Sequence, residues 1–158
     1  MGAIYTASFA ENVTLDINGK KALWTGRGGA SVLNRLVSLT IRMDDATDAN
    51  AKGYGWNVAH TTSYSGTDVT PSPHTLGDAA YPAGYLKKLG NWTAGSLLAS
   101  GALNSTVGMR WEPTKGEMIF WGAGIPGDNK HFGVQLSGGG VSESLYITST
   151  ITFEALGG

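Results

Sequence analysis

Residue types that could serve as nucleophile, base and acid stand close together at one point of the chain. His60 is followed by Ser63, Ser65 and Asp68, which together supply the side chains of a hydrolase triad. A triad is defined by geometry, however, and neighbours along one loop rarely provide it. The chain also lacks the Gly-x-Ser-x-Gly turn that presents the nucleophile of an α/β-hydrolase. We therefore predict no catalytic residue and no enzymatic activity.

Possible metal ligands are few and poorly spaced. The chain has no cysteine and three histidines: His60, His74 and His131. The histidines form no closely spaced pair, so a zinc site is not predicted. Asp44, Asp45 and Asp48 lack the alternating spacing, the glycine and the distal glutamate of an EF-hand loop. We interpret this acidic cluster as a solvated loop, with a calcium site as the alternative, and we predict no cofactor.

Glutamates are the candidates for the paired carboxylates of a glycosidase. The four considered are Glu112, Glu117, Glu143 and Glu154. Glu112 lies at a turn and Glu154 lies near the end of the chain. We therefore interpret these two as exposed charges.

Tryptophans could stack on sugar rings. The chain has five: Trp24, Trp56, Trp92, Trp111 and Trp121. They lie far apart in sequence, Trp111 ends a predicted strand and Trp121 belongs to an apolar one. Core packing is the commoner fate of such residues and is our interpretation, with a carbohydrate site as the alternative.

The elements that must position these residues are predicted to be β-strands. Leu145–Glu154 alternates apolar with mostly hydroxyl-bearing side chains. Successive strand side chains point to opposite faces, so this stretch predicts a half-buried strand inside an antiparallel sheet. Ile4–Phe9, Leu36–Met43 and His131–Leu136 show the same alternation.

Further short apolar stretches, separated by Gly, Pro, Asn and Asp, complete the pattern. They are Lys20–Trp24, Gly55–Thr62, Leu97–Leu103, Thr106–Trp111 and Glu117–Trp121. The tight-turn dipeptide Asn18-Gly19 predicts that Lys20–Trp24 returns as the hairpin partner of the strand before it. About eight to ten short strands and no amphipathic helix predict an all-β fold. We expect an antiparallel β-sandwich, with a jelly roll as its leading version, in one domain over residues 1–158.

A long segment, about residues 63–95, shows no sustained period. Connections of this length are uncommon in a compact domain and are usually functional or mobile. Its aromatic residues are Tyr64, Tyr81, Tyr85 and Trp92. These side chains either cap the core beneath the segment or contact another chain. They are our candidates for partner contact.

Charge and composition bear on partners and location. The net charge is −1 and 15% of residues are charged, against about a quarter in typical domains. Such a surface attracts nucleic acid and anionic membranes only weakly. Residues 1–10 contain no Lys or Arg, which argues against a signal peptide. The longest apolar run, near residues 118–125, is too short to span a bilayer.

Several motifs resemble those of short, β-rich structural proteins encoded by tailed phages and prophages. They are Ile4–Phe9, Ala59–Gly66 (AHTTSYSG), Val69–Pro73 (VTPSP), Leu76–Ala79 (LGDA), Met109–Thr114 (MRWEPT) and Ile151–Glu154 (ITFE). The resemblance spans most of the chain as loose patterns around turns. Asp44–Trp56 and Tyr81–Trp92 depart from it.

The resemblance implies a virion structural protein without a catalytic motif. It implies a capsid decoration (cement) protein that binds the major capsid protein on the outer surface of a phage head. A homotrimer is expected at three-fold positions of the shell, after synthesis in the host cytoplasm. One alternative is a single-jelly-roll coat protein, although the first basic residue is Lys20 and no basic arm for nucleic acid is present. The other alternative is a carbohydrate- or receptor-binding module.

Overall fold

The fold is built from β-strands alone in the part of the chain that the structure describes. The computed structural model describes residues 2–28, 31–44, 53–93, 95–114, 119–123 and 131–156. These residues form twelve strands and no helix. The strands are β1 (Ala3–Thr14), β2 (Lys20–Gly26), β3 (Leu33–Asp44), β4 (Gly53–Thr61), β5 (Thr67–Asp68), β6 (Ser72–Pro73), β7 (Leu86–Gly90), β8 (Leu97–Asn104), β9 (Met109–Trp111), β10 (Phe120–Gly122), β11 (His131–Ser137) and β12 (Ser144–Ala155).

The principal strands pair in a nested order. β1 pairs with β12, β2 with β11, β3 with β9 and β10, and β4 with β8, all antiparallel. Two more pairings, β3 with β12 and β4 with β11, join these ribbons into two sheets. A nested ribbon folded into two antiparallel sheets is a jelly roll. The prediction of an antiparallel β-sandwich with this topology is therefore confirmed.

The two sheets have six strands each. Sheet A has the order β10-β3-β12-β1-β6, with β9 also paired to β3. Sheet B has the order β5-β7-β2-β11-β4-β8. β12 lies between β3 and β1, so the prediction that it is an interior strand is confirmed, and it buries Ile147, Ile151 and Phe153 completely. Its Thr148 and Thr150 side chains lie on the opposite face.

Large aromatic side chains fill the space between the sheets. Trp121 of sheet A stacks on Phe132 of sheet B with ring centroids 4.3 Å apart. Trp24 of sheet B is fully buried, and its indole N–H donates to the hydroxyl of Ser149 in sheet A at 2.9 Å. Polar and aromatic contacts therefore hold the two sheets face to face.

The segment at residues 63–95 contains three strands that the sequence did not predict. β6 adds to β1 at one edge of sheet A, and β5 and β7 extend sheet B beyond β2. A two-residue strand carries no periodicity, and β7 is only five residues long. The estimate of eight to ten strands was therefore too low.

The predicted hairpin at Asn18-Gly19 is wrong in its pairing. The turn itself forms, because Gly19 has a φ of +73° and its N–H donates to the carbonyl of Asp16 at 2.9 Å. β1 and β2 nevertheless belong to different sheets. Their apolar faces meet across the core, where the ring centroids of Phe9 and Trp24 lie 5.1 Å apart.

Candidate interaction surface

His60, Ser63 and Asp68 do not come together as a hydrolase triad. The carbonyl of Phe120 lies 3.0 Å from Nε2 of His60. The Ser63 hydroxyl donates to the carbonyl of Asn91, and Asp68 pairs with Lys87. Each of these three groups therefore has a different structural partner.

The glutamates do not form a pair either, as far as the structure describes them. Glu112 pairs with Arg110 on the surface, and Glu143 accepts a hydrogen bond from Tyr54. The prediction that Glu154 is exposed is wrong, because it is 5% exposed and pairs with Arg35 of β3. Glu117, Asp45 and Asp48 lie outside the described residues. No cluster of three His, Asp or Glu suited to a metal occurs among those described.

Four of the five tryptophans belong to the core, as interpreted from sequence. Trp24, Trp56 and Trp121 are buried. Trp111 packs on Trp56 with centroids 5.3 Å apart. Trp92 alone lies on the outer side of sheet B, close to Gly133 of β11.

Tyr81, one of the four partner-contact candidates, caps the core of its own chain. Its ring is 4% exposed and packs on Tyr5 and Phe153. Its hydroxyl donates to Oδ1 of Asn34 at 3.1 Å. Burial raises the pKa of Tyr81, so the hydroxyl stays protonated as a structural donor.

Tyr64 and Tyr85 are half-buried near the same end of β7. Tyr64 stacks on His131 with centroids 5.2 Å apart, and Nζ of Lys87 lies 5.3 Å from its ring. Burial raises the pKa of Tyr64 to about 12. Cζ of Arg27 lies 5.2 Å from the centre of the Tyr85 ring. A hydrogen bond with Ser31 lowers the pKa of Tyr85. Contact of Tyr64, Tyr85 or Trp92 with another chain stays a prediction.

His131 makes this region sensitive to acid. Burial, and then the charge of Arg27, lower the pKa of His131, and its Nδ1 accepts the N–H of Gly28 at 2.8 Å. Protonation would remove that acceptor. His131 therefore binds a proton more readily in the unfolded chain than in the folded one. The free energy of unfolding falls as the pH decreases below about 6.5, the pKa of histidine in the unfolded chain.

We expect a lower melting temperature at pH 5 than at pH 7.5, measured by circular dichroism. The His131→Gln variant should lose part of this pH dependence, because it removes the group that titrates. An identical pH slope in the variant would contradict the assignment.

The strands at three of the four ends of the two sheets are short. β5 has two residues, and its Asp68 pairs with Lys87. β6 has two residues and ends at Pro73, which lacks a backbone donor. β9 and β10 lie along the same side of β3 as two three-residue pieces, and Arg110 of β9 pairs with Glu112. Short strands, prolines and charges are the usual means of preventing unwanted edge pairing.

The fourth edge, β8, has none of these protections. It has eight residues, no charge and no proline, and it ends sheet B. No other strand in the described ranges pairs with its free side. Leu97 and Leu98 are 61% and 41% exposed, whereas Leu103 reaches the core and Gly101 lies against Trp56. An open, uncharged edge is a template for a strand from another chain.

The turn after β8 extends this surface onto sheet A. Val107 is 74% exposed at its tip, and the Gly108 N–H donates to the carbonyl of Asn104 at 2.9 Å. Beside the turn, a groove of about 510 Å³ runs over Thr40, Arg42, Met109 and other residues of sheet A. We call β8 with this turn, Leu97–Gly108, the β8 surface.

The sequence offered one weak signal for the β8 surface as a contact site. Leu97–Leu103 was recognised as an apolar strand, and apolar strands are normally buried. Its position at a sheet edge depends on pairings with distant residues. An apolar, chargeless strand followed by the exposed turn around Val107 is the only local hint.

Comparisons with known proteins find only weak structural similarities to this chain. No family model and no curated protein matches it. One similar solved structure is that of Maize Chlorotic Mottle Virus from single particle analysis. The identity is 12%, 97% of this chain and 94% of that chain are covered, and the TM-score is 0.28.

A second similar structure is the VP2 subviral particle of infectious bursal disease virus. The identity is 10% and the TM-score is 0.22, and this chain spans 42% of that chain's length. TM-scores this low carry no argument about function. The fold is therefore established by the chain's own strand pairing, and the resemblance to tailed-phage proteins stays a prediction.

The described residues contain no helix long and apolar enough to cross a membrane.

Proposed function

We propose that this chain is a structural protein of a virion, and more narrowly a capsid decoration (cement) protein. It would bind the major capsid protein on the outer surface of a phage head, after synthesis in the host cytoplasm. The observation that carries the proposal is the β8 surface. It combines an unprotected sheet edge with the exposed apolar side chains of Leu97, Leu98 and Val107.

The distribution of polar groups supports protein contact rather than chemistry. The histidines, serines and glutamates considered from sequence have separate structural partners wherever the structure describes them. The jelly roll with its added strands presents an open, uncharged edge at β8. Binding of such a body to an assembled shell stabilises the shell by mass action.

Shells of the source virus assembled without this protein provide the test. Purified protein should co-sediment with them and raise the temperature at which they disassemble. Light scattering of the free protein should give the mass of a homotrimer, the form that suits three-fold positions. Protein that stays in the supernatant at saturating concentration would refute the decoration role, and monomers alone would refute the trimer.

A coat protein that encloses its own genome is the second candidate. The nested jelly roll favours it, since many viral coats use this fold. Against it, the chain has 11 Lys and Arg against 12 Asp and Glu, and no basic residue precedes Lys20. Expression of this protein without any other viral protein distinguishes a coat protein from a decoration protein. A coat protein forms closed particles and binds RNA in a salt-sensitive manner.

A further inference from the structure

A small pocket lies on the outer side of sheet B, away from the β8 surface. It has a volume of about 270 Å³. Its walls come from the turn between β1 and β2 and from the chain that follows β7. The lining residues are Asp16, Lys20, Lys21, Gly90, Asn91 and Trp92.

Trp92 is held in place from below and from the side. Gly133 of β11 lets the indole come close, because a Cβ at that position would lie 2.8 Å from Cζ3 of the ring. The hydroxyl of Ser63 accepts the N–H of Thr93 and donates to the carbonyl of Asn91, both at 2.9 Å. The aromatic wall is therefore fixed before any ligand arrives.

The opposite wall is equally ordered. Oδ1 of Asp16 accepts the N–H groups of Asn18 and Lys20, each at 2.9 Å. Neither Lys20 nor Lys21 forms an ion pair with a described carboxylate. With two ammonium groups and one carboxylate among its lining residues, the pocket has an excess of positive charge.

We propose that this pocket binds a sugar that carries a carboxylate, such as a hexuronic acid. An indole offers an apolar face to a pyranose ring. The Asp16 carboxylate and the exposed Asn91 amide can bond hydroxyl groups, and the lysines can pair with the sugar's carboxylate. A few polar groups around an aromatic wall are typical of small-molecule sites. The inference is independent of the virion role.

Titration of the full chain with glucuronic acid, followed by NMR, tests the proposal. The Trp92 indole N–H resonance should shift in a saturable manner, with a Kd on the order of 1 mM. Glucose, which lacks the carboxylate, should bind at least about tenfold more weakly. Equal shifts with both sugars would refute charge recognition, and no saturable shift with either would refute the site.

Variants separate the pocket from general effects on folding. Trp92→Ala should abolish saturable binding, and Trp92→Phe should retain part of it. The double variant Lys20→Ala, Lys21→Ala should remove the preference for glucuronic acid over glucose. Lys87→Ala is the control, because Lys87 pairs with Asp68 outside the pocket. Unchanged affinity in folded Trp92→Ala protein would overturn the proposal.

Discussion

Shell binding should weaken strongly when Leu98 and Ser100 are both replaced by lysine. Both side chains are exposed on β8. A strand from another chain would have to bury or displace the new charges to pair with this edge. We expect at least a tenfold rise in the Kd for shells, which corresponds to about 1.4 kcal/mol. Co-sedimentation over a range of protein concentrations measures the change.

A matched control uses the opposite side of the sandwich. Leu76 and Ser72 are also exposed, and Ser72 lies in the two-residue edge strand β6. Replacing these two residues by lysine adds the same charge to the same residue types. Each exposed substitution should alter the free energy of unfolding by no more than about 0.5 kcal/mol. If the control loses shell binding while the β8 variant keeps it, the contact surface lies on the added strands instead.

The strands that the sequence predicted best are those with one buried and one solvated face. In β12, Ile147 and Ile151 alternate with Thr148 and Thr150, so a local period carries the whole signal. The chain's β-sandwich class followed from several such strands. Strand order did not follow, because β12 meets β1 at a sequence distance of more than a hundred residues. That pairing depends on the global fold.

Burial was predicted less well than strand identity. Tyr81 was a candidate for partner contact because it stands in a stretch without periodicity, yet its ring fills the core. Glu154 was interpreted as an exposed charge, yet Arg35 from β3 pairs with it. In both cases the deciding neighbour is remote in sequence. Conversely, Leu97 and Leu98 are exposed despite their apolar character, because no described strand follows β8 in the sheet.

The buried hydrogen bond between Trp24 and Ser149 should be important for holding the sheets together. Both residues are 0% exposed, and the Ser149 hydroxyl also donates to the carbonyl of Thr40 at 2.8 Å. Ser149→Ala leaves the indole N–H buried without its acceptor, which costs about 1–3 kcal/mol. Trp24→Ala removes the ring as well and should cost about 3–5 kcal/mol. Equilibrium unfolding in urea measures both losses.

A double-mutant cycle shows whether the hydrogen bond itself accounts for the loss. Trp24→Phe removes the donor and keeps an aromatic ring, so Ser149→Ala should cost less in that background than in the natural chain. Ser8→Ala is the control, because its hydroxyl bonds Thr150 on the exposed face of sheet A at 2.8 Å. It should change the free energy of unfolding by no more than about 0.5 kcal/mol. Strict additivity of the Trp24 and Ser149 substitutions would mean that this hydrogen bond contributes nothing to the free energy of unfolding.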